Sequence, residues 1–203
     1  MCDGLYIAPQ DIPAEIQTIV IGASAKAPDE KYHLGDLKVK EMLPTVAPNQ
    51  NLCGRAFFME WGYPDGKAQN DRRFSEVRVE KAAEDVLFID GYRKHRCLIP
   101  VTCYYETVKK AGKTERYAVY PAQGEYMYLG GIYCKLDKKP YAVLLTQPAG
   151  GELEEVCDTM PIIVPREYAA KWISTERSLK SVMRLMNRRG NGGSRVICKR
   201  IEE

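Results

Sequence analysis

A series of short segments rich in aromatic and β-branched residues, separated by turns of Gly, Pro or Lys, constrains the fold of this chain most strongly. This composition and these boundaries are typical of β-strands. Because the intervals between the segments are short, we expect antiparallel neighbours, since parallel pairs need long crossover connections. The predicted strands are 56–61, 97–106, 116–121, 126–134, 141–147 and 195–201.

The clearest helical signal lies near the N-terminus. A helix is predicted over 12–21, because Asp11 can cap it, Pro13 suits its first turn and apolar residues recur along one face. Gly22 is expected to end this helix. Further helices are predicted over 79–92, 166–173 and 179–187.

A proline-rich, polar segment follows the first helix. It contains Pro28, Pro44 and Pro48 and is interpreted as an extended loop. Together with the strands and helices, this pattern predicts an α+β fold with a mainly antiparallel, barrel-like β-sheet and a few flanking helices. The chain, 1–203, is expected to form a single domain.

The composition is that of a globular protein. Hydrophobic residues make up 45% and charged residues 28% of the 203 residues, which excludes a disordered or fibrous chain. No run approaches the roughly 18 consecutive apolar residues that a membrane span needs, and no secretion signal is recognisable. We therefore expect a cytoplasmic protein without a membrane partner. The net charge of +3 is too small to indicate nucleic acid by itself.

The cysteines do not form a metal motif. Their number is odd, no pair has the Cys-x-x-Cys spacing, and the only histidines are His33 and His95. This pattern disfavours a zinc site or a disulfide framework, and no metal or other cofactor is expected. Thiols in apolar strings behave as small buried hydrophobes and suit a reducing cytoplasm. The seven are Cys2, Cys53, Cys97, Cys103, Cys134, Cys157 and Cys198.

Cys2 can carry unusual chemistry once Met1 is removed, because it then presents an α-amine beside a thiol. The amine condenses with an aldehyde to an imine, and the thiol closes a thiazolidine ring. An α-amine titrates near pH 7.7–8.0, so a fraction is neutral and nucleophilic at about pH 7. The alternative is that Cys2 follows the initiator without any role.

Two further polar residues are candidates for chemistry. Glu106 ends a hydrophobic segment in which alternation puts it on the same face as Tyr104, and its carboxylate can act as a general acid or base. Asn70 lies in a short polar cluster and can orient an amine by hydrogen bonding. The alternatives are a solvated strand end for Glu106 and an ordinary turn for Asn70.

These residues belong to a colinear series of short motifs that resembles the SOS response-associated peptidase (SRAP) family over about residues 1–173. That family's signature has an initial Met-Cys-Gly-Arg, a Trp-Gly, an Asn-Ala-Arg, an Arg-Cys-Leu-x-Pro before Tyr-Glu-Trp, and a late His-x-Arg-Met-Pro. The shared order is not expected by chance. The series here is Met1-Cys2, Leu43-Pro44-Thr45, Met59-Glu60-Trp61-Gly62-Tyr63, Asn70-Asp71-Arg72, Arg96-Cys97-Leu98-Ile99-Pro100, Tyr104-Tyr105-Glu106, Leu129-Gly130-Gly131-Ile132-Tyr133, Leu144-Leu145-Thr146 and Met160-Pro161-Ile162-Ile163-Val164.

The resemblance implies a DNA-repair protein that binds single-stranded DNA and captures abasic sites. Family members lose Met1 by self-cleavage, and the exposed Cys forms a thiazolidine cross-link with the aldehyde of the ring-opened deoxyribose. By motif matching, Cys2 is implied as the nucleophile, Asn70 as the residue that positions its amine, and Glu106 as the acid/base. No obligate protein partner is implied.

The sequence departs from the family where charge and proton transfer matter. Asp3 and Gly4 stand in place of Gly-Arg, which removes a phosphate-binding cation. Cys157 stands where the family has its catalytic His, and Thr159 where it has Arg. An ordinary thiol titrates near pH 8.5, whereas an imidazole exchanges protons near neutrality. We therefore expect capture of a preformed aldehyde to survive better than opening of the sugar ring.

Three residues are predicted to contact DNA. Arg72 and Arg73 match a DNA-contacting motif and are expected to bind phosphate. Trp61 can stack on an unpaired base, or it can be a core aromatic residue. Two rival functions remain open: a DNA-binding module that has lost the reaction, and a self-processing peptidase that only releases Met1. Trp172 is expected to pack from a helix into the core.

Overall fold

The structure is a computed structural model that describes residues 2–10, 12–29, 31–48, 54–65, 72–110, 112–188 and 196–201. Its helices are α1 (Ala14–Ser24), α2 (Val79–Glu84), α3 (Ile89–Lys94), α4 (Ala169–Ile173) and α5 (Leu179–Arg188), with 3-10 turns at Gly151–Glu155 and Arg166–Tyr168. Its strands are β1 (Cys2–Ile7), β2 (Gly35–Leu37), β3 (Met42–Pro48), β4 (Gly54–Trp61), β5 (Tyr63–Pro64), β6 (Arg73–Phe74), β7 (Glu76–Arg78), β8 (Arg96–Val101), β9 (Cys103–Lys110), β10 (Lys113–Pro121), β11 (Met127–Leu136), β12 (Lys139–Pro148), β13 (Thr159–Pro161), β14 (Ile163–Val164) and β15 (Val196–Ile201).

Two sheets form the body of the molecule. In the larger one, β12, β4, β3, β8 and β11 pair in that order and β11 pairs back to β12, which closes a five-stranded barrel. The second sheet has the order β15-β10-β9-β1-β2 and is antiparallel throughout. Parallel pairing occurs where β12 meets β4 and β7. The predicted α+β fold with a mainly antiparallel, barrel-like sheet is therefore confirmed.

The segment 97–106, predicted as one strand, is two strands in different sheets. The chain changes sheets at Thr102, whose backbone N–H donates to the Tyr6 carbonyl over 2.8 Å. The Thr102 hydroxyl in turn accepts from the backbone N–H of Ala8 over 3.0 Å. These two bonds attach the junction to the end of β1, so β8 stays in the barrel while β9 runs beside β1.

The proline-rich segment is also more ordered than predicted. Residues 42–48 form β3, which pairs with β4 along its whole length and includes Pro44 opposite Phe58. Its pairing with β8 is limited to Val46 and Leu98. Proline has no N–H to donate, so a strand that pairs fully on one side only can accommodate it.

The first two predicted helices differ from the observed ones, the first in where it ends and the second in its continuity. Helix α1 continues past Gly22 to Ser24, and Gly22 lies where an added Cβ would be 3.3 Å from the Ala56 side chain, so it allows the helix to approach β4 closely. The predicted helix 79–92 is divided into α2 and α3. Phe88 lies between them, is buried, and packs against Tyr63 and Phe74.

Trp172 packs into the core as predicted. It is fully buried, and its indole N–H donates to the Cys97 carbonyl over 2.9 Å. A Cβ added to Gly130 would lie 2.3 Å from Trp172 Cζ2, so this glycine makes room for the indole on β11. This contact fixes α4 against the barrel close to β8.

Candidate active site

Cys2 is the first residue of β1 and is paired with Glu106 of β9. The register shifts between Cys2 and Gly4, so Asp3 forms a bulge in the strand. Cys2 and Glu106 are 2% and 1% exposed, and Tyr104, two residues before Glu106, is fully buried. The nucleophile and the carboxylate predicted from the sequence are therefore brought together in a buried site.

A second carboxylate contacts Cys2 from another part of the chain. The Cys2 backbone N–H donates to Oε2 of Glu76 over 3.1 Å. Glu76 begins β7, whose parallel pairing with β12 puts it opposite Leu144 and fixes its position. Sequence reasoning missed Glu76, and the only signal was its nearness to the polar cluster that contains Asn70.

The Cys2 thiol is held in its protonated form. Burial and the negative charge of Glu76 raise its pKa well above the ordinary range, and Sγ contacts the Gly4 carbonyl at 3.7 Å. Such a thiol needs a base at the moment it forms a bond, because the free thiolate is scarce at neutral pH.

The hydroxyl group of Tyr104 lies buried in this site and has no hydrogen-bond partner among the described residues. Burial raises its pKa well above the ordinary range, and the negative charge of Glu76 raises it further, so the phenol stays protonated. It is thus a hydrogen-bond donor beside the nucleophile. The ionisable groups close to this phenol are Cys2, Cys157, Cys198 and Glu76.

Cys157 approaches the same site from the segment after β12. Its Sγ contacts the Thr159 carbonyl at 3.2 Å, and burial raises its pKa. Cys198 of β15 lies near it, and the backbone N–H of Cys198 donates to Glu152 over 3.2 Å. Sequence reasoning did not include Cys198 among the candidates.

With this geometry in place, comparisons with known proteins identify the family. The sequence profile described as "SOS response associated peptidase (SRAP)" matches residues 4–200. The chain belongs to the SRAP family. Membership supports a role connected with DNA damage and an interaction with DNA. No curated protein matches the chain.

Solved structures extend this result at the level of the fold. A crystal structure of a protein from Bacteroides thetaiotaomicron has a TM-score of 0.71 and 17% identity, with 89% of this chain and 84% of that chain covered. A protein from Bordetella bronchiseptica has a TM-score of 0.71 and 16% identity, with 100% of both chains covered. A phage-related protein from the same organism has a TM-score of 0.68 and 15% identity, with 100% and 94% covered. At these identities the likeness concerns the fold alone.

The arginines predicted to bind DNA have different surroundings in this SRAP protein. Arg72 is exposed, with its guanidinium 5.1 Å from the centre of the Phe74 ring. Arg73 is half-buried, lies 3.4 Å from the Glu60 carboxylate and covers the Tyr141 ring. Asn70 lies outside the described residues.

Trp61 is a core residue in this SRAP protein and not a surface for DNA. It is fully buried, and its indole N–H donates to the Ser75 carbonyl over 2.9 Å. No ring face is open to a base, which corrects the stacking prediction and supports the alternative. Its place at the end of β4, beside the segment that leads to Glu76, explains the burial.

Asp3 lies on the face of the second sheet opposite Cys2. Its carboxylate accepts from the Thr107 hydroxyl over 2.5 Å and lies 3.8 Å from Nε of Arg116, which covers the Tyr105 ring. The acid that replaces the family's Gly is therefore partnered by Arg116, on the half-exposed side of the sheet. Its negative charge still helps to raise the pKa of the Cys2 thiol, though less than burial and Glu76 do.

The described part of the SRAP chain contains no cluster of metal ligands and no membrane-spanning helix. Among those residues, no group of three or more His, Cys, Asp or Glu side chains can hold a metal ion. None of the described helices is long and apolar enough to cross a membrane.

Proposed function

We propose that this SRAP protein binds single-stranded DNA and captures the aldehyde of an abasic site through Cys2 after Met1 is removed. The observation that carries the proposal is the pairing of Cys2 with Glu106, with Glu76 at 3.1 Å from the Cys2 nitrogen. An N-terminal aminothiol between two carboxylates has proton acceptors within reach at each step of aldehyde capture.

The proposed reaction is an addition followed by a ring closure. Once free, the Cys2 α-amine attacks the aldehyde carbon, and the resulting carbinolamine loses water to form an imine. Sγ then adds to the imine carbon and closes a thiazolidine, so one water leaves in total. Because burial raises the pKa of the thiol, ring closure needs a base, and the buried carboxylate of Glu106 fits that role.

The same residues support removal of Met1. A carboxylate opposite Cys2 can transfer protons when the Met1–Cys2 bond is hydrolysed, which makes self-cleavage the second part of the proposed activity. Asn70 remains the predicted orienting residue for the amine. Cys157 replaces an imidazole with a thiol of raised pKa, so opening of the sugar ring is expected to be the slow step.

Arg72 is the proposed phosphate contact. It is exposed and precedes Glu76 by four residues, so its backbone lies within about 14 Å of the site. Arg73 is engaged with Glu60 and is better suited to holding this segment than to binding phosphate. We further propose that residues 1–203 act as one SRAP-like domain in the cytoplasm.

The decisive experiment mixes the purified protein with single-stranded DNA that carries one abasic site and separates the products on a denaturing gel. A covalent band is expected for the parent protein and none for Cys2→Ala. Single-stranded DNA with an intact base is the matched substrate control. Cys157→His is expected to increase the rate at which the covalent band forms on the order of 10²-fold, because an imidazole exchanges protons near neutral pH.

The outcomes separate the rival functions. No band with either protein, together with retained binding in a native shift assay, would favour a DNA-binding module that has lost the reaction. No band together with complete loss of Met1 that depends on Glu106 would favour a self-processing peptidase.

A further inference from the structure

We infer that Glu76 is the group that takes the proton from the α-amine of Cys2, which makes it a catalytic residue of the capture reaction. This inference rests on the proposed function and assigns a role to a carboxylate that the motif matching left without one. It also gives the two buried-site carboxylates different tasks, one at the nitrogen and one opposite the cysteine.

The geometry points to the nitrogen as the partner of Glu76. Oε2 of Glu76 lies 3.1 Å from the Cys2 nitrogen, within hydrogen-bond distance, although 74 positions separate the two residues. Removal of Met1 leaves this atom in the chain as the α-amine. Its position is fixed by the pairing of β1 with β9, and Glu76 is fixed by the pairing of β7 with β12.

This contact predicts the protonation chemistry of the amine. A carboxylate next to an ammonium stabilises the charged form, so the proton must be transferred before the nitrogen can attack. Glu76 can accept that proton directly and return it to the carbinolamine hydroxyl as water leaves, while Glu106 accepts the proton that the thiol loses at ring closure. One proton per capture is finally released to solvent, and no oxidant or metal is needed.

Several titratable groups surround the reacting atoms, and the Glu76 carboxylate accepts a hydrogen bond from the Cys2 nitrogen. Asp3 points to the opposite face, where Thr107 and Arg116 hold it. The groups that act on Cys2 or on the adjacent phenol are Glu76, Glu106, Tyr104, Cys157 and Cys198, together with the charge of Asp3 from the opposite face.

The test uses protein whose first residue is Cys2, released from a cleavable N-terminal tag so that self-cleavage is not required. Two aldehydes are compared: abasic single-stranded DNA on a denaturing gel, and formaldehyde, whose thiazolidine is measured by intact mass. Glu76→Gln is expected to slow both reactions on the order of 10²-fold at about pH 7. The deficit should shrink as the pH rises, because hydroxide then removes the amine proton.

Two further variants make the result specific. Glu80→Gln removes an exposed carboxylate four residues away and should leave both rates unchanged. Glu76→Asp keeps the charge but withdraws the carboxylate by one methylene, and about a tenfold slowing is expected. If Glu76→Gln does not fold, Glu76→Asp decides the matter, and a rate equal to that of the parent protein would overturn the proposal.

A Glu76→Gln protein that is as fast as the parent at neutral pH, or faster, would also overturn the role of Glu76, because the carboxylate would then only retard the amine. Failure of the proposed function looks different. In that case the parent forms the formaldehyde thiazolidine but no band with abasic DNA, while the effect of Glu76→Gln on the formaldehyde reaction persists.

Discussion

Cys2 lies directly opposite Glu106 in the pairing of β1 with β9, although about half of the chain separates them. The register depends on Thr102, which bonds to the other end of β1 immediately before β9 begins. Four residues later the chain reaches Glu106, so the hydrogen bonds at Thr102 determine which residue of β9 meets the nucleophile.

The first prediction concerns Met1. We expect intact mass to show complete loss of Met1 from the expressed parent protein, and slower loss in Glu106→Gln, because the proposed self-cleavage uses the carboxylate opposite Cys2. The exposed Glu125 supplies the control variant, Glu125→Gln. Equal processing in all three proteins would assign Met1 removal to a housekeeping aminopeptidase.

The second prediction concerns the hydroxyl group of Tyr104. It is buried without a partner among the described residues, so Tyr104→Phe should raise the free energy of unfolding by about 1 kcal/mol, as an unsatisfied polar group is removed. Urea unfolding measures this change. If the hydroxyl donates to the aldehyde oxygen, the same variant captures aldehyde more slowly although it is more stable. A loss of stability would mean that the hydroxyl has a structural partner.

The third prediction separates the two neighbouring arginines. Arg72→Ala should weaken binding of single-stranded DNA and reduce the salt dependence by about one released ion, with little change in stability. Arg73→Ala should instead lower the free energy of unfolding by about 1 kcal/mol, because it removes one of two cationic partners of the buried Glu60, which keeps Lys139 at 2.7 Å. Fluorescence anisotropy at several salt concentrations and urea titration distinguish these effects. The reverse pattern would contradict the assignment.

The fourth prediction is a loss of stability in alkali. Burial raises the pKa of the Cys2 and Cys97 thiols far above that of an unfolded thiol, about 8.5. Above that pH the folded state binds more protons than the unfolded state, so the free energy of unfolding falls as the pH rises. The slope is up to about 1.4 kcal/mol per pH unit for each thiol.

Urea titrations between pH 8 and pH 10 measure this slope, and it should decrease in Cys97→Ala. Stability that stays constant over this range in the parent protein would show that the buried thiols do not titrate differently in the folded state.

Several of the longer strands were predicted well from the sequence because each carries its own local signal. Aromatic and β-branched runs correctly located β4, β10, β11 and β12 to within a few residues. The change of sheet at Thr102 has no such signal, since it arises from bonds to Tyr6 and Ala8, which are distant in sequence. Pro44 favoured a loop in the prediction, because the sequence does not show that β3 pairs fully with one neighbouring strand only and can therefore include a proline.

The candidate site was also predicted only in part, because some of its contacts depend on strand pairing between segments that are distant in sequence. Cys2 and Glu106 are brought together as expected, since each lies in a motif with a fixed place in the family. Glu76 carries no motif of its own, and its contact with the Cys2 nitrogen depends on β7 joining β12. For Trp61 the motif did not decide the role, because a tryptophan beside a glycine suits a core as well as a DNA surface, and the residue is buried.

The junction at Thr102 has a consequence for the time at which the chemistry becomes available during folding. Hairpins such as β9–β10 and β11–β12 join neighbouring segments and can form early, whereas pairing of β1 with β9 closes a loop of about half the chain. Cys2 therefore meets Glu106 only after this long-range closure. Under the proposed self-cleavage, a nascent or partly folded chain therefore retains Met1, and the α-amine of Cys2 is released only after the fold is complete.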